Sequence, residues 1–362
     1  MAEEPPLARA ARLADVAELA GVSAATASRV LNGGHRGVRE ANRQRVLDAA
    51  KRLGYTANLA AQTVARGRGR GVTLVAKGMP DDYANPVTAG VVSAAQRRGL
   101  PFTLISAGTE PADLVEAVNM ARGNRPELLV LAGGRMADDA TIPDLVDALQ
   151  RYEDEGGRVV LITQTGLPFD TVSYANHQGG RDMATTLVEL GYRNFAVISG
   201  LKHGLTQRER TDGFIEGLAA SGITLPADRV LIGQFDRDAA YAMTGELLRR
   251  PIEVDAIFAV NDAMALGVLT FLRDRGGTAP RIAVAGFDDI KALRDVTPAL
   301  TTVHLPWESA ADEALRMGLG PRSPEPQVSV IEGHVVVRES TPPQRAPHRS
   351  DDPGRSALGA AG

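Results

Sequence analysis

The sequence predicts an N-terminal all-α helix-turn-helix head followed by an α/β body of two doubly wound lobes with parallel sheets. Three observations carry this expectation. Leu13–Asn32 has apolar residues at helical spacing on both sides of a glycine. Gly67-Arg-Gly-Arg-Gly71 is a flexible basic stretch without an apolar side chain, the clearest domain boundary in the chain. Beyond it, short apolar runs alternate with helical periodicity, the order in which parallel strands and their covering helices follow one another.

In the head, Ala17 is small enough for two helices to cross closely, and Gly21 can take the positive φ of a sharp turn. Ser23 stands where an N-cap belongs. Val16, Leu19, Val22, Val30 and Leu31 are expected to point inward, leaving Ser23, Ala24, Ala25, Thr26, Ser28, Arg29 and Asn32 facing out. That layout places a second helix in a DNA major groove. A loop follows at Gly33–Gly37, then a helix from Arg39 to Leu53 with Val46, Leu47, Ala50 and Leu53 on one face and Gly54 at its end. A short helical segment is expected over Leu59–Arg66.

In the body, strand-like Val72–Ala76, Phe102–Ser106, Glu127–Leu131 and Arg158–Thr163 are interleaved with helices Val87–Arg98, Pro111–Arg122 and Pro143–Glu155. A second set begins near Thr171. It has helices Gly179–Leu190, Arg208–Ala220, Ala239–Arg249 and Ala263–Arg275, and strands Asn194–Ser199, Arg229–Leu231, Ala256–Val260 and Ile282–Ala285. Two such sets make two lobes with a ligand cleft between them. After Thr341 the composition turns to Pro, Arg, Ser and Gly, which predicts a disordered tail.

A chain of 362 residues with 44% hydrophobic content can bury two or three real cores. The absence of cysteine excludes disulfides, thiolate zinc sites and cysteine nucleophiles. No apolar run is long enough to span a bilayer, and the acidic start Met1-Ala-Glu-Glu-Pro-Pro lacks the pattern of a secretion signal, so a cytoplasmic location is expected. The net charge of −4 hides an asymmetry. Residues 1–70 hold 12 of the 40 basic and 6 of the 44 acidic side chains, leaving 28 basic and 38 acidic in the rest. A basic head on an acidic body suits phosphate contacts confined to one surface.

The run Asp15-Val-Ala, Gly21-Val-Ser, Ser28-Arg-Val-Leu-Asn32 resembles the LacI/GalR family of bacterial repressors. Further matches are Arg45-Val, Leu53-Gly-Tyr55, Asn58, Ala61, Asn261-Asp-Ala-Met-Ala-Leu-Gly267, Val284-Ala-Gly-Phe-Asp-Asp289, Leu300-Thr-Thr302 and Val337-Arg-Glu-Ser-Thr341, so the likeness runs from Leu13 to Pro343. The resemblance implies a homodimer that sets one headpiece on each half of a palindromic operator in double-stranded DNA. It also implies a periplasmic-binding-protein-like body that takes a small effector, a sugar or related metabolite, between its lobes, with no other cofactor. On this division residues 1–57 form the headpiece, 58–71 the hinge helix and linker, 72–341 the effector-binding and dimerisation domain, and 342–362 the tail.

By the same match Ala24 and Ala25 hold the first recognition positions, where a methyl can meet a thymine methyl; plain helix propensity accounts for them equally well. Arg29 is left to carry hydrogen-bonded base readout, with Ser23, Thr26, Ser28 and Asn32 placed for phosphates. Tyr55, Asn58, Ala61 and Val64 complete the DNA-facing set, Val64 standing where the family's hinge helix has a leucine wedge and Ala57 replacing its proline. Either the central DNA kink is weaker or specificity leans more on the headpieces.

For the cleft the family pattern gives Arg210, Asn261, Asp288 and Trp307, with Tyr83 and Gln164 at strand ends of the first lobe. Arg210 offers a fork of donors, Asp288 accepts from hydroxyls, and Trp307 offers a flat face to a sugar ring or else packs at a lobe hinge. Asp289 reads as a cap or hinge partner. The chain departs from the family at Ala175-Asn176, at Leu305 in place of a glutamine, and at a displaced Asn85-Pro86, which argues against assuming a common hexose. His177, His203 and His304 look isolated, no metal-ligand spacing occurs, and Ala132-Gly-Gly134 is not a phosphate loop, so an enzyme is not expected. A transport-type solute-binding receptor would fit the body alone and leave the head unexplained.

Overall fold

The computed structural model describes residues 11–31, 37–56, 69–77, 86–108, 110–133, 140–163, 165–276 and 282–344. The expectations for Asn32, Asn58, Ala61, Val64, Tyr83 and Gln164, for the segment 59–66 and for the tail beyond residue 344 lie outside these residues. The chain divides into two compact units, Met1–Arg70 and Gly71–Gly362.

The first unit contains α1 (Leu13–Ala20), α2 (Ala24–Leu31) and α3 (Glu40–Arg52). Asp15 accepts the backbone N–H of Arg12 at 2.7 Å and so caps the start of α1. Gly21 ends that helix at φ 63°, with its own N–H on the Glu18 carbonyl and that of Val22 on Ala17. Ser23 Oγ then accepts the Thr26 N–H at 3.2 Å, the N-cap expected from the sequence. Val16, Ala17, Ala20, Ala27, Val30, Val46, Ala49 and Ala50 form the core, with Val22, Leu31 and Tyr55 packed against it. Two details differ from the expected stripes. Leu19 is 45% exposed, and on α3 the inward face is Val46, Ala49 and Ala50, while Leu47 and Leu53 sit near its rim at 36% and 37%. The alanines explain the shift. Three short helices crossing this closely bury small side chains and push the leucines outward.

In the second unit one sheet has the order β11-β5-β4-β3-β1-β2, and all its paired strands are parallel. These strands are β1 (Val72–Lys77), β2 (Phe102–Ala107), β3 (Leu128–Ala132), β4 (Val159–Ile162), β5 (Asp170–Tyr174) and β11 (Val328–Ile331). A second parallel sheet runs β7-β6-β8-β9, from β6 (Phe195–Ser199), β7 (Val230–Ile232), β8 (Ala256–Ala259) and β9 (Ala283–Ala285). Every residue of β3, β4, β6 and β8 is buried, because helices cover both faces. The helices are α4 (Pro86–Arg97), α5 (Pro111–Gly123), α6 (Ile142–Asp154), α7 (Asn176–Glu189), α8 (Leu205–Ala220), α9 (Arg237–Leu247), α10 (Asp262–Asp274) and α11 (Trp307–Leu319).

Two findings revise the expected lobe composition. The segment near Thr171 belongs to the first sheet, since β5 pairs with β4 and β11, and the second set starts only at α7. After Ala285 the chain adds β10 (Thr302–His304), α11, β11 and β12 (His334–Val336). It thus passes between the two sheets three times, at β5–α7, at β10–α11 and at β11–β12, and β10 pairs antiparallel with β12 at the join. Among the described residues no helix is long and apolar enough to cross a membrane.

Candidate functional site

In the head, Ser23, Ala24, Ala25 and Arg29 are exposed, whereas Thr26 and Ser28 are half-buried. Ser23 and Thr26 share a hydroxyl–hydroxyl contact of 2.9 Å, so both are engaged in the cap of α2. The outward start of α2 is therefore two methyl groups, with Arg29 one turn further along. Such a face admits close approach of a flat partner and gives it one long cation. Tyr55 packs its ring on the head's core and sends its N–H to the Ala50 carbonyl.

In the body, Arg210 on α8 is buried at the end of the second sheet. Two glycines bring it there. A Cβ on Gly180 would run into the Arg210 carbonyl, and one on Gly213 into the carbonyl of His177, so α7 and α8 lie almost backbone to backbone. Arg210 Nε donates to Asn176 Oδ1 at 2.9 Å and Nη1 to the Val260 carbonyl at 2.8 Å. Its guanidinium lies 3.9 Å over the Phe287 ring. Nη2 approaches Asp288 Oδ1 at 3.0 Å as an ion pair, yet no aligned hydrogen bond reaches that oxygen. Asn176 in turn donates to Glu209 at 3.1 Å.

Asp288 follows β9 with φ 117°, a backbone setting rare outside glycine. Its N–H is held by the Val303 carbonyl at 2.9 Å and its carbonyl by Trp307 Nε1 at 3.1 Å. Burial holds its carboxyl above the ordinary range, against the opposing pull of Arg210. Trp307, the first residue of α11, meets Tyr174 edge to face with ring centroids 4.9 Å apart. The Tyr174 hydroxyl is buried without a hydrogen-bond partner. Burial, reinforced by Asp288 and opposed by Arg210, pushes that phenol far above its usual range. Asn261 caps α10, accepting the Met264 N–H at 2.7 Å.

Two neighbouring aspartates are structural. Asp262 accepts from Thr302 Oγ1 at 2.6 Å and from the Ile290 N–H at 2.8 Å, and burial, with Asp288 adding, keeps its carboxyl well above the ordinary range. Asp289 is buried between Arg294 at 2.6 Å, Arg338 at 2.7 Å and His304 at 2.9 Å. Burial raises its carboxyl, but those partners outweigh it and leave it below the usual range. His304 is therefore part of an ionic cluster rather than isolated, and His177 likewise faces Glu216 at 3.3 Å. A cavity of about 750 Å³ opens beside Trp307, Pro86, Gly90 and Arg294, but Arg210, Asn261 and Asp288 are not on its wall.

Of the residues expected in the cleft, the structure brings Arg210, Asp288 and Trp307 together, with Asn261 next to Val260 and Asp262 in the same turn. Sequence reasoning missed Tyr174, Asn176 and Phe287 as members of this cluster. The signal available for them was position, since Tyr174 ends and Asn176 follows β5 at a crossing, and Phe287 follows β9 beside Asp288.

Comparison with known proteins agrees with both units. Residues 12–58 match the bacterial regulatory proteins of the lacI family, and residues 184–341 match the periplasmic binding protein-like domain. The HTH-type transcriptional regulator CelR of Thermobifida fusca is 34% identical over 337 residues, covering 90% of this chain and 96% of that protein. The solved complex of the transcriptional regulator CelR with cellobiose aligns with a TM-score of 0.65 at 32% identity, over 91% of this chain and 99% of the other. The lac repressor dimer bound to operator and the anti-inducer ONPF aligns with a TM-score of 0.76 at 22% identity, over 92% of this chain and all of the other, a likeness of fold.

Proposed function

The chain belongs to the lacI family of bacterial regulatory proteins, and we propose that it is a repressor whose grip on a palindromic operator is set by a sugar-type effector bound between its lobes. It is a DNA-binding transcriptional regulator rather than an enzyme. One observation carries the effector reading: Arg210 is buried against the half-buried Asp288 between the two sheets, yet Asp288 Oδ1, itself shielded, lacks an aligned donor. A ligand hydroxyl is the donor that geometry wants. Trp307 beside it supplies an apolar face, and its bond to the Asp288 carbonyl ties that face to the pair. The relative solved with cellobiose supports a saccharide as the class to test first.

DNA binding is assigned to the head of a homodimer, with Ala24, Ala25 and Arg29 toward the bases and Ser23, Thr26 and Ser28 toward phosphates. Ligand binding at three chain crossings offers the coupling. A ligand that clasps residues from both lobes changes the angle at those crossings, and with it the separation of the paired heads. Coupling of this kind is reciprocal, so operator must change effector affinity by the factor with which effector changes operator affinity. The test is titration of cellobiose and related saccharides into the full-length protein, with and without the operator that it selects from a random-sequence duplex pool. Unequal affinities support the switch. Equal affinities, or no selection of a palindrome, refute it.

A further inference from the structure

The candidate site holds a second unpaired polar atom that the ion pair does not explain. Tyr174 closes β5 at the first crossing, and its ring is buried against Trp307, which opens α11 at the second crossing. A phenylalanine would make the same edge-to-face contact. The hydroxyl is what the packing does not need, and it has no hydrogen-bond partner. Buried hydroxyls are nearly always satisfied, and one left unpaired is costly. The same site contains Asp288 Oδ1, ion-paired with Arg210 at 3.0 Å but without an aligned hydrogen bond. Trp307 joins them, its ring 4.9 Å from that of Tyr174 and its Nε1 on the Asp288 carbonyl at 3.1 Å, while the Asp288 carboxylate lies 3.0 Å from Arg210, so the groups share one neighbourhood.

We propose that Tyr174 is a specificity-determining residue of the effector site, its hydroxyl and Asp288 Oδ1 together holding one hydroxyl of an uncharged, polyhydroxylated ligand. The inference rests on the effector site proposed above and deepens it. The phenol donates to the ligand oxygen, and the ligand hydroxyl donates to the carboxylate, so one group satisfies the phenol and gives the ion-paired carboxylate an aligned donor. Charge argues against an anionic ligand. Asp288 already balances Arg210, whose Nε and Nη1 are occupied by Asn176 and Val260. Both atoms are shielded from solvent in this conformation, so the ligand reaches them as the crossings that carry Tyr174 and Trp307 part. The same residues thus read the ligand and join the lobes.

The test uses full-length wild-type protein and Y174F, which keeps the ring. Thermal shift and titration calorimetry are run with cellobiose and other neutral saccharides, with glucose 6-phosphate and gluconate as charged counterparts. Ligand-free Y174F is expected to melt at or above the wild type, because the deleted hydroxyl had no partner. A neutral saccharide is expected to bind the wild type and to bind Y174F about tenfold more weakly, the worth of one such hydrogen bond. A deoxy analogue lacking the contacted hydroxyl should bind both proteins alike. Equal saccharide affinity in the two proteins overturns the role of Tyr174 and leaves the effector site standing. Shifts from the charged counterparts alone overturn the ligand class, and a lower melting point for ligand-free Y174F reveals a structural partner and overturns the inference. A wild type that no saccharide shifts overturns the effector site and this inference together.

Discussion

Arg210 and Asp288 approach to 3.0 Å without an aligned hydrogen bond, because Arg210 is already held by Asn176 and Val260 and Asp288 is fixed by its own backbone. The φ of 117° at Asp288 persists because the surroundings over-determine it. Val303 takes its N–H, Trp307 its carbonyl, and Asp262 grips the chain two residues later at Ile290. A carboxylate kept in a sparsely populated conformation, paired yet incompletely bonded, is prepared for a further donor.

Asp288→Asn should therefore remove the effector response while leaving operator binding intact. The amide keeps the size of the side chain and one acceptor but gives up the charge that balances Arg210. The cost in stability should stay below about 3 kcal/mol, less than for an abandoned buried charge, because Arg210 keeps its other partners. Operator binding titrated against effector checks the first outcome and urea denaturation the second. A normal effector response would take Asp288 out of the site.

Acid sensitivity should trace to Asp289 rather than to Asp288. The Asp289 carboxyl is held below its ordinary value, so the folded state binds its proton less readily than the unfolded state does. Its contribution is complete above about pH 4 and drains away as pH falls through the lower folded value. Asp288 has the opposite sign, since its raised value favours the folded state only while the group is protonated. Asp289→Asn is expected to lower stability at pH 7 by about 2–4 kcal/mol, reduced from the fully buried case because Arg294 is half in solvent. The melting-temperature profile between pH 6 and pH 3, as measured for wild type and variant, should converge toward the acid end. Parallel profiles would remove Asp289 from the acid response.

Gly213→Ala should damage the site from a distance. The added methyl would run into the His177 carbonyl where α7 and α8 touch, and the helices must separate. Overpacking of this kind costs about 1–3 kcal/mol. The displacement moves Arg210, one turn earlier on the same helix, away from Asn176 on α7. A lower urea midpoint together with weaker effector binding is the expected pair of results. Loss of stability with unchanged effector affinity would show that helix spacing does not set the position of Arg210.

The alternation of apolar runs with helical periods was legible because parallel strands buried on both faces have no polar alternation to confuse them. The lobe boundary was not. β5 carries Asp170, Thr171 and Ser173 and pairs with β11, a strand more than 150 residues later. No local pattern announces such a partner. In the site, Arg210, Asp288 and Trp307 were marked by the resemblance to the family pattern, and they do converge. Tyr174 was not singled out, because its use depends on a missing hydrogen bond, which only three-dimensional neighbours reveal. Leu19 and Leu47 failed for a related reason: periodicity shows a face but not how narrow the crossing of alanine-lined helices makes it.

Arg29 is the long exposed cation one turn beyond Ala24 and Ala25, whose methyls can discriminate bases only by contact. Ser23 and Thr26 are partly committed to capping α2. On the proposed reading, hydrogen-bonded sequence readout from this helix falls to Arg29. Arg29→Ala is expected to weaken operator binding by about 1–3 kcal/mol, roughly tenfold to over a hundredfold, and to relax preference at one base position. Binding to random duplex should fall far less, since a single phosphate contact accounts for only one unit of salt-dependent slope. Fluorescence anisotropy on operator and random duplex across a salt series separates the cases. A uniform loss on both DNAs, with the slope reduced by about one, would mean that Arg29 grips phosphate only, and that specificity lies in the alanine methyls and in the shape of the DNA.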